Sequence, residues 1–126
     1  GTGQQVRAFT DVRDIVTGLI RLNRWGQSGL VLNLGNPTNQ VSMLALAKLV
    51  IKLAGSRSPI KLIDPQELFG PLYAEGFERV PVVEAAREII GWAPAIGLEQ
   101  TILDTIEWYR QRHTAEAGKT HLFKTG

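Results

Sequence analysis

Apolar residues recur at helical spacing near the start of the chain, where the pattern changes from a short extended run to a helix. The recurring apolar positions are Val12, Ile15, Val16, Leu19 and Ile20. Their spacing predicts a helix, which Thr10 or Asp11 can cap by accepting a backbone N–H of the first turn. The stretch GQSG at 26–29 then ends this helix.

Three further helices follow from the same kind of pattern. Ser42 is the natural N-cap of the second helix, and Gly55 suits the position just after its end. Gly91 and Pro94 end a short third helix over PVVEAAREIIGW. The last helix covers GLEQTILDTIEWYRQR. The expected buried stripe of the second helix is Met43, Leu46, Leu49, Val50 and Leu53, and one side of the last helix carries Leu98, Ile102, Ile106 and Tyr109.

Short extended stretches separate these helices. They are the run that ends at Phe9, the apolar LVLNLG at 30–35, and SPIKLIDP at 58–65. Alternating strands and helices predict an α/β fold, with a small sheet of about three short strands covered by about four helices. Such a sheet is marginal unless helices cover it or a partner extends it. We expect residues 1–113 to form the folded unit and 114–126 a flexible tail.

Composition and charge narrow the classes of function. The chain has 126 residues, 44% of them hydrophobic, and a net charge of only +2. Its Lys and Arg residues are scattered among acidic neighbours, so no nucleic-acid surface is indicated. No apolar run reaches the ~18 residues of a membrane span, and the start lacks a secretory signal pattern. We therefore expect a cytoplasmic protein that binds neither nucleic acid nor membrane.

Metal sites are not indicated either. The chain contains no cysteine, which excludes disulfides and thiolate ligands and fits a reducing compartment. The two histidines, His113 and His121, lie near the end of the chain without ligand partners at useful spacing. We therefore predict that no residue ligates a metal.

The patterns of oxidoreductase and hydrolase sites are missing from the sequence. The stretch GTGQQV at 1–6 has glycine at its first and third positions but valine at its sixth, so it is no dinucleotide turn. No lysine stands four residues after a tyrosine: Tyr73 is followed there by Phe77, and Tyr109 by His113. Neither GxSxG nor HExxH occurs. We expect no hydride transfer or hydrolysis by this chain alone.

Several polar residues could instead bind a ligand. Arg7 and Arg79 can grip phosphate, since a guanidinium offers a planar fork of donors. Gln4 and Gln5 can hydrogen-bond a sugar or a uracil edge, and Tyr73 brings a hydroxyl on the glycine- and proline-rich loop FGPLYAEGFER. From composition alone, an arginine or tyrosine of this kind is more often an ordinary surface residue, and spacing by itself decides little.

The order of short motifs along the chain carries more information than any one of them. GQQVRAF, NLGNP, VS, RVP, GWAP and EWYR follow one another over roughly residues 1 to 112. In this order they resemble the C-terminal part of the extended short-chain dehydrogenase/reductase family, the NAD-dependent nucleotide-sugar epimerases, dehydratases and decarboxylases. Within it, VRAFTDVRD, NLGNP and Y…FERVP look most like the UDP-glucuronic acid decarboxylases.

The resemblance implies roles for the candidate residues. It assigns Gln4, Gln5 and Arg7 to holding a UDP-sugar, Tyr73 to touching the substrate, and Arg79 to donating a proton in a complete enzyme. The family's NAD turn, its catalytic tyrosine–lysine pair and its acidic residue for glucuronate all precede the point that matches Gly1. The resemblance thus implies that NAD belongs to the parent family and that this chain holds no cofactor. We accordingly expect that Gly1 is not the natural beginning of the fold.

Two departures from the family pattern make the identity of the substrate less specific. Much of the family has aspartate after the first arginine, where this chain has Ala8, and Val82 stands in the acidic place of R-x-P-D. The decarboxylase-like relatives vary at both positions. UDP-glucuronate is therefore the preferred substrate because of the resemblance, and no residue present is assigned to its carboxylate.

Two hypotheses about function remain open at this point. In the first, the chain is the substrate-binding portion of an NAD-dependent UDP-sugar decarboxylase or epimerase, inactive alone and binding UDP no better than about millimolar. In the second, it is a non-catalytic module that pairs with another copy or a partner. Either would favour a homodimer or a missing NAD-binding domain as partner. Trp25, Trp92 and Trp108 are candidates for the core, or for such an interface.

Overall fold

The computed structural model describes residues 1–70, 72 and 76–121. Three short strands and five helices lie within these ranges. This confirms the predicted α/β class with a small sheet. The elements in chain order are β1 (Val6–Ala8), α1 (Val12–Trp25), β2 (Gln40–Ser42), α2 (Met43–Ala54), α3 (Pro65–Phe69), β3 (Glu78–Arg79), α4 (Glu84–Ile90) and α5 (Leu98–His121).

The sheet has the order β2-β1-β3, with β1 in the centre. β1 pairs antiparallel with β2 and parallel with β3. Two of the three predicted strands were wrong, because LVLNLG and SPIKLIDP contribute no strand to the sheet in the described part. Residues 58–64 are exposed rather than buried. The strands actually used, QVS and ER, are short and mostly polar, so hydrophobic alternation does not reveal them.

The helix ends follow the predicted caps. The Asp11 carboxylate accepts the backbone N–H of Arg13 at the start of α1, at 2.9 Å. The Ser42 hydroxyl accepts the N–H of Ala45 at the start of α2, at 3.2 Å. Gly55 follows α2 in the left-handed conformation with φ 63°, which costs glycine little. These local signals confirm the predicted boundaries.

The apolar residues that predicted α1 lie mostly on its exposed side. Val12 is 70% exposed and Ile20 is 62% exposed. The side of α1 that faces the interior carries Asp14, Gly18 and Leu22 instead. The helix is therefore apolar on the side away from the core.

The stripes expected on α2 and α5 are only partly buried. No residue of α2 is fully buried, and its Met43 and Val50 are exposed. On α5, Ile102 is buried but Tyr109 is 55% exposed. The expected buried stripe of α2 is thus only half-buried, although α5 packs against this helix.

The core gathers around one tryptophan. Trp92 is 1% exposed and packs with Val83, Ala86 and Ile90 of α4 and its flanks. Its indole N–H donates to the backbone carbonyl of Asp14 at 2.8 Å. Leu22, Leu32 and Leu34 pack against this cluster from α1 and from the extended segment after it.

A buried polar network holds the start of α5 against α1. The Asp14 carboxylate accepts two consecutive backbone N–H groups, the second from Ile96 at 3.0 Å. The amides of Asn36 and Asn39 both donate to the Ile96 carbonyl, at 3.1 and 3.0 Å. Asn39 also accepts the N–H of Leu98 at 3.1 Å. The motifs NLGNP and GWAP therefore meet here, and their polar residues serve the packing of the fold.

The helical backbone of α5 continues past residue 113 to His121. The division into a folded unit at 1–113 and a flexible tail at 114–126 stays a prediction. None of the helices in the described ranges is both long and apolar enough to cross a membrane.

Candidate functional site

Arg7 and Arg79, far apart in sequence, are direct neighbours in the sheet. They are Cα partners in the parallel pairing of β1 with β3. Partners in adjacent strands direct their side chains to the same face, about 4.8 Å apart at the backbone. The two guanidinium stems therefore rise from one face of the sheet.

Two positive charges at this spacing repel each other. Adjacent like charges on one sheet face are destabilising, by about 1 kcal/mol in water at close approach. Arg7 is half-buried and donates from Nη1 to the Val6 carbonyl at 2.8 Å, whereas Arg79 is exposed. Arg79 forms no hydrogen bond or ion pair through its side chain with any residue that the structure describes. An anion on this face would relieve the repulsion, and phosphate suits guanidinium forks best.

A cavity of about 620 Å³ opens beside the same strands. Its walls include the side chains of Gln5 and Phe77, together with Thr2, Asp64 and Gln66. Gln5 and Phe77 flank the strand pairing, because the Gln5 carbonyl accepts the N–H of Met43 at the start of α2 and the Phe77 carbonyl accepts the N–H of Val6 in β1. They precede the two arginines by two residues, and strand alternation places them on the arginine face. The cavity thus offers an amide, an aromatic ring and a carboxylate, while Arg7 and Arg79 lie in the adjoining strands and do not line it.

The glycine-containing loop at the start of the chain closes the first turn of α2. Gly3 has φ 72°, and a Cβ added there would lie 2.9 Å from the Cβ of Leu44. The Gly3 and Gln5 carbonyls accept the N–H groups of Leu44 and Met43, at 2.9 and 3.1 Å. A dinucleotide cradle needs such helix N–H groups open to a pyrophosphate. The residues of this loop therefore do not fit NAD.

The other two candidate ligand residues are not brought into this arrangement. Gln4 is exposed, and its side chain does not line the cavity. Tyr73 lies outside the described residues. The structure thus brings together Gln5, Arg7 and Arg79.

A second polar cluster joins α1 to α5. The buried Asp11 carboxylate accepts two hydrogen bonds from the Arg13 guanidinium, both at 2.8 Å, and one from the Thr101 hydroxyl at 3.0 Å. Arg13 also contacts Asp104 at 2.5 Å. The hydrogen bonds from Arg13 hold the pKa of Asp11 well below its usual range, against the opposing effect of burial. The two carboxylates in turn raise the pKa of Arg13. The cluster is a clamp between two helices.

A groove of about 740 Å³ runs beside this clamp. Its apolar walls are Val12, Trp108 and Tyr109, and the two aromatic rings meet edge to face with centroids 4.9 Å apart. Trp108 is 51% exposed and Trp25 is 52% exposed, so only Trp92 of the three tryptophans belongs to the core. Among the described residues, no three acidic or histidine side chains are grouped to hold a metal ion.

Sequence reasoning missed the residues that complete the cavity. Phe77, Asp64, Gln66 and Thr2 carry no motif of their own. Only the spacing of Phe77, two residues before Arg79, gave a signal, because it places the ring on the arginine face once β3 is known.

Comparison with known proteins shows which solved structures share this fold. No protein-family model matches the chain. Among solved structures, UDP-glucose 4-epimerase from Thermotoga maritima, in a structure with UDP-glucose, matches 89% of this chain over 34% of its own, with TM-score 0.77 and 23% identity. UDP-glucuronic acid 4-epimerase from Bacillus cereus, in complex with UDP-glucuronic acid and NAD, matches 88% of this chain over 34% of its own, with TM-score 0.75 and 19% identity.

A third match has the higher identity. The PbgP3 protein from Burkholderia pseudomallei is 30% identical, with TM-score 0.69, and covers 91% of this chain and 34% of its own. The fold is one part of an extended short-chain dehydrogenase fold. The chain spans about one third of the length of these neighbours, which include NAD-dependent epimerases and dehydratases.

Proposed function

We propose that this chain is the nucleotide-sugar-binding portion of an NAD-dependent UDP-sugar decarboxylase or epimerase. The counterpart we favour is the decarboxylase domain of the bifunctional polymyxin-resistance enzyme. The observation that carries the proposal is the register pairing of Arg7 with Arg79 on one sheet face, beside the cavity that Gln5 lines. Neighbours of the same fold were solved with UDP-sugars, which supports this class of ligand.

Each part of the ligand has a chemical counterpart in this arrangement. The two guanidiniums would neutralise the diphosphate, and charge-assisted hydrogen bonds of this kind contribute about 1.5–3 kcal/mol each. The Gln5 amide would bind the sugar or the uracil edge, with Gln4 and Tyr73 as further contacts. In a complete enzyme, Arg79 would also donate a proton to the substrate. UDP-glucuronate is the sugar nucleotide we favour.

Catalysis would need groups that the described residues do not offer. NAD supplies hydride transfer in enzymes of this type, and the loop around Gly3 does not fit it. The proposed role is therefore binding, in a cytoplasmic protein whose NAD is held by the remainder of the parent fold. We expect no NAD-dependent turnover from the isolated chain and UDP affinity no better than about 1 mM, or about 4 kcal/mol.

Titration with UDP tests the site, read by NMR of the ¹⁵N-labelled chain because the expected affinity is weak. UDP should shift amide signals of residues 5–8 and 76–79, and Arg79→Ala should weaken binding about tenfold, the loss of one charge-assisted contact. Arg57→Ala is the matched control, since Arg57 is also exposed but lies in the loop after α2. Equal binding by the Arg79 and Arg57 variants would refute the site. Micromolar binding by the unmodified chain would refute the expected weakness.

One observation favours a second function, a non-catalytic interaction or homodimerisation module. The outer side of α1 is apolar and exposed, as expected of an interface. In such a module Arg7→Ala and Arg79→Ala would leave the melting temperature unchanged whether or not UDP is present. In a ligand-binding module these variants would abolish the stabilisation by UDP.

A further inference from the structure

One stretch of the chain, residues 33–39, contacts the residues that follow both arginine strands. Arg7 lies in β1 and Arg79 is the last residue of β3. Because these strands pair in parallel, the chain leaves both of them at the same end of the sheet. The stretch 33–39 lies at that end, and it includes the NLGNP motif. It is therefore placed to fix how the two strands lie relative to each other, besides its part in packing the fold.

The start of this stretch holds the chain just after Arg79. The Asn33 side-chain amide donates to the Val82 carbonyl at 3.3 Å. Gly35 is buried, and a Cβ added there would lie 2.4 Å from the ring of Pro81. Gly35 does not have a positive φ, so the close approach of Pro81 is what requires a glycine at this position. The chain two and three residues beyond Arg79 is thus seated on this stretch.

The end of the stretch holds the chain just after Arg7. The Asn36 backbone N–H donates to the Thr10 hydroxyl at 2.8 Å, and the Asn39 carbonyl accepts the N–H of Phe9 at 3.2 Å. Both asparagines are buried, and their side-chain amides donate to one backbone carbonyl just before α5. This end of the stretch is therefore firmly held itself. We call the following four residues the strand brace: Asn33, Gly35, Asn36 and Asn39.

The strand pairing that carries Arg79 is too short to be stable alone. β3 has two residues, both exposed, and so small a strand pair is marginal without other elements to support it. The separation of the Arg7 and Arg79 guanidiniums therefore depends on the contacts that hold the ends of their strands. A diphosphate engages both guanidiniums only when their separation is fixed, whereas a monophosphate can be bound by one.

We propose that the strand brace sets the separation of Arg7 and Arg79 and thereby makes the site select a nucleoside diphosphate over the monophosphate. Its four members are positioning residues, because they act through the backbone that follows each arginine and not through the ligand. The proposal rests on the proposed function, since it concerns the selectivity of the same site.

Titrations of the ¹⁵N-labelled 126-residue chain with UDP and with UMP test this selectivity. The unmodified chain should bind UDP about tenfold more tightly than UMP, the effect of one more charge-assisted contact. Gly35→Ala should reduce this preference to less than about threefold, because UDP would lose that contact and UMP would not. Gly26→Ala is the matched control, since its Cβ would lie 2.3 Å from the Leu22 carbonyl oxygen, a similar crowding at the end of α1. It should keep the preference for UDP.

Asn33→Ala tests the brace by removing one hydrogen bond instead of adding bulk. Asn33 is exposed, so the core stays intact, and the preference for UDP should fall about threefold. Asn23→Ala is its control, since Asn23 is also exposed, on α1. Hydrogen exchange of the Val6 amide reads the strand pairing without a ligand, because this N–H donates to the Phe77 carbonyl at 2.7 Å. Both brace variants should speed this exchange at least about threefold relative to their controls.

The outcomes separate a failed brace from a failed binding site. A preference for UDP that Arg79→Ala abolishes, but that both brace variants leave unchanged, would refute the positioning role alone, whatever the exchange rate of the Val6 amide. An unchanged exchange rate in both brace variants would likewise refute it. Equal binding of UDP and UMP by the unmodified chain, or UDP binding that does not depend on Arg79, would refute the proposed function together with the brace.

Discussion

Replacing Asp14 by alanine should loosen the junction of α1 and α5 more than any surface change. One oxygen of its buried carboxylate accepts the N–H groups of Ala95 and Ile96, at 3.1 and 3.0 Å. Hydrogen bonds to charged groups contribute about 1.5–3 kcal/mol each. Because both bonds share one oxygen, we expect a combined loss of about 3 kcal/mol in the free energy of unfolding. That is a large fraction of the ~5–15 kcal/mol by which a domain is stable.

Urea unfolding followed by circular dichroism measures this loss. With a slope of about 1.5 kcal/mol per molar urea, Asp14→Ala should lower the midpoint by about 2 M. Asp14→Asn keeps an acceptor oxygen and should lose about 1 kcal/mol. Asp64→Ala is the control, since exposed Asp64 also accepts one backbone N–H, from Gln66 at 2.9 Å, and should lose about 1 kcal/mol or less. Equal midpoints for Asp14→Ala and Asp64→Ala would refute the account of this junction.

Two further changes test the packing and the helix clamp. Gly35→Ala should lower the free energy of unfolding, measured in urea, by about 2 kcal/mol, because the added Cβ would lie 2.4 Å from Pro81. Since Pro81 follows β3, the same change should also weaken UDP binding. An unchanged free energy of unfolding would contradict this close approach. Asp11→Asn should cost about 2 kcal/mol at pH 7. The depressed pKa of Asp11 makes its contribution complete above the unfolded value near 3.9 and lost as pH falls further. The difference from the unmodified chain should therefore shrink below about pH 4; a difference independent of pH would argue against the ion pair.

Local signals in the sequence were enough to predict α1, α2, α4 and α5, but not the short helix α3. Asp11 and Ser42 cap their helices through side-chain oxygens, and Gly91 ends α4 in the left-handed conformation with φ 61°. Each of these helix ends depends on residues within one turn, so it can be predicted directly from the local sequence.

The sheet could not be predicted from the pattern, because its two outer strands exist only by pairing with β1. QVS and ER have no apolar alternation of their own, whereas the apolar stretch at 30–35 pairs with no strand in the part of the chain that the structure describes. The orientation of α1 was hidden for a similar reason. Its apolar residues recur as in a core helix, but Gly18 faces Trp92 and Leu34 instead.

Only part of the candidate site could be predicted from the sequence. Arg7 and Arg79 stood out as phosphate ligands by chemistry and by resemblance, but their shared register depends on a long-range pairing that no spacing reveals. Phe77 was recognised as a site residue only because it lines the cavity in the structure. The types of residue in the site could therefore be proposed from the sequence, whereas which of them lie next to each other could be seen only in the folded structure.

A crystal structure of the chain grown with UDP would test the central claim most directly. We predict that the diphosphate lies on the face of β1 and β3, with oxygens about 2.7–2.9 Å from nitrogens of both Arg7 and Arg79. UDP bound at another surface, or guanidiniums directed to opposite faces of the sheet, would contradict it.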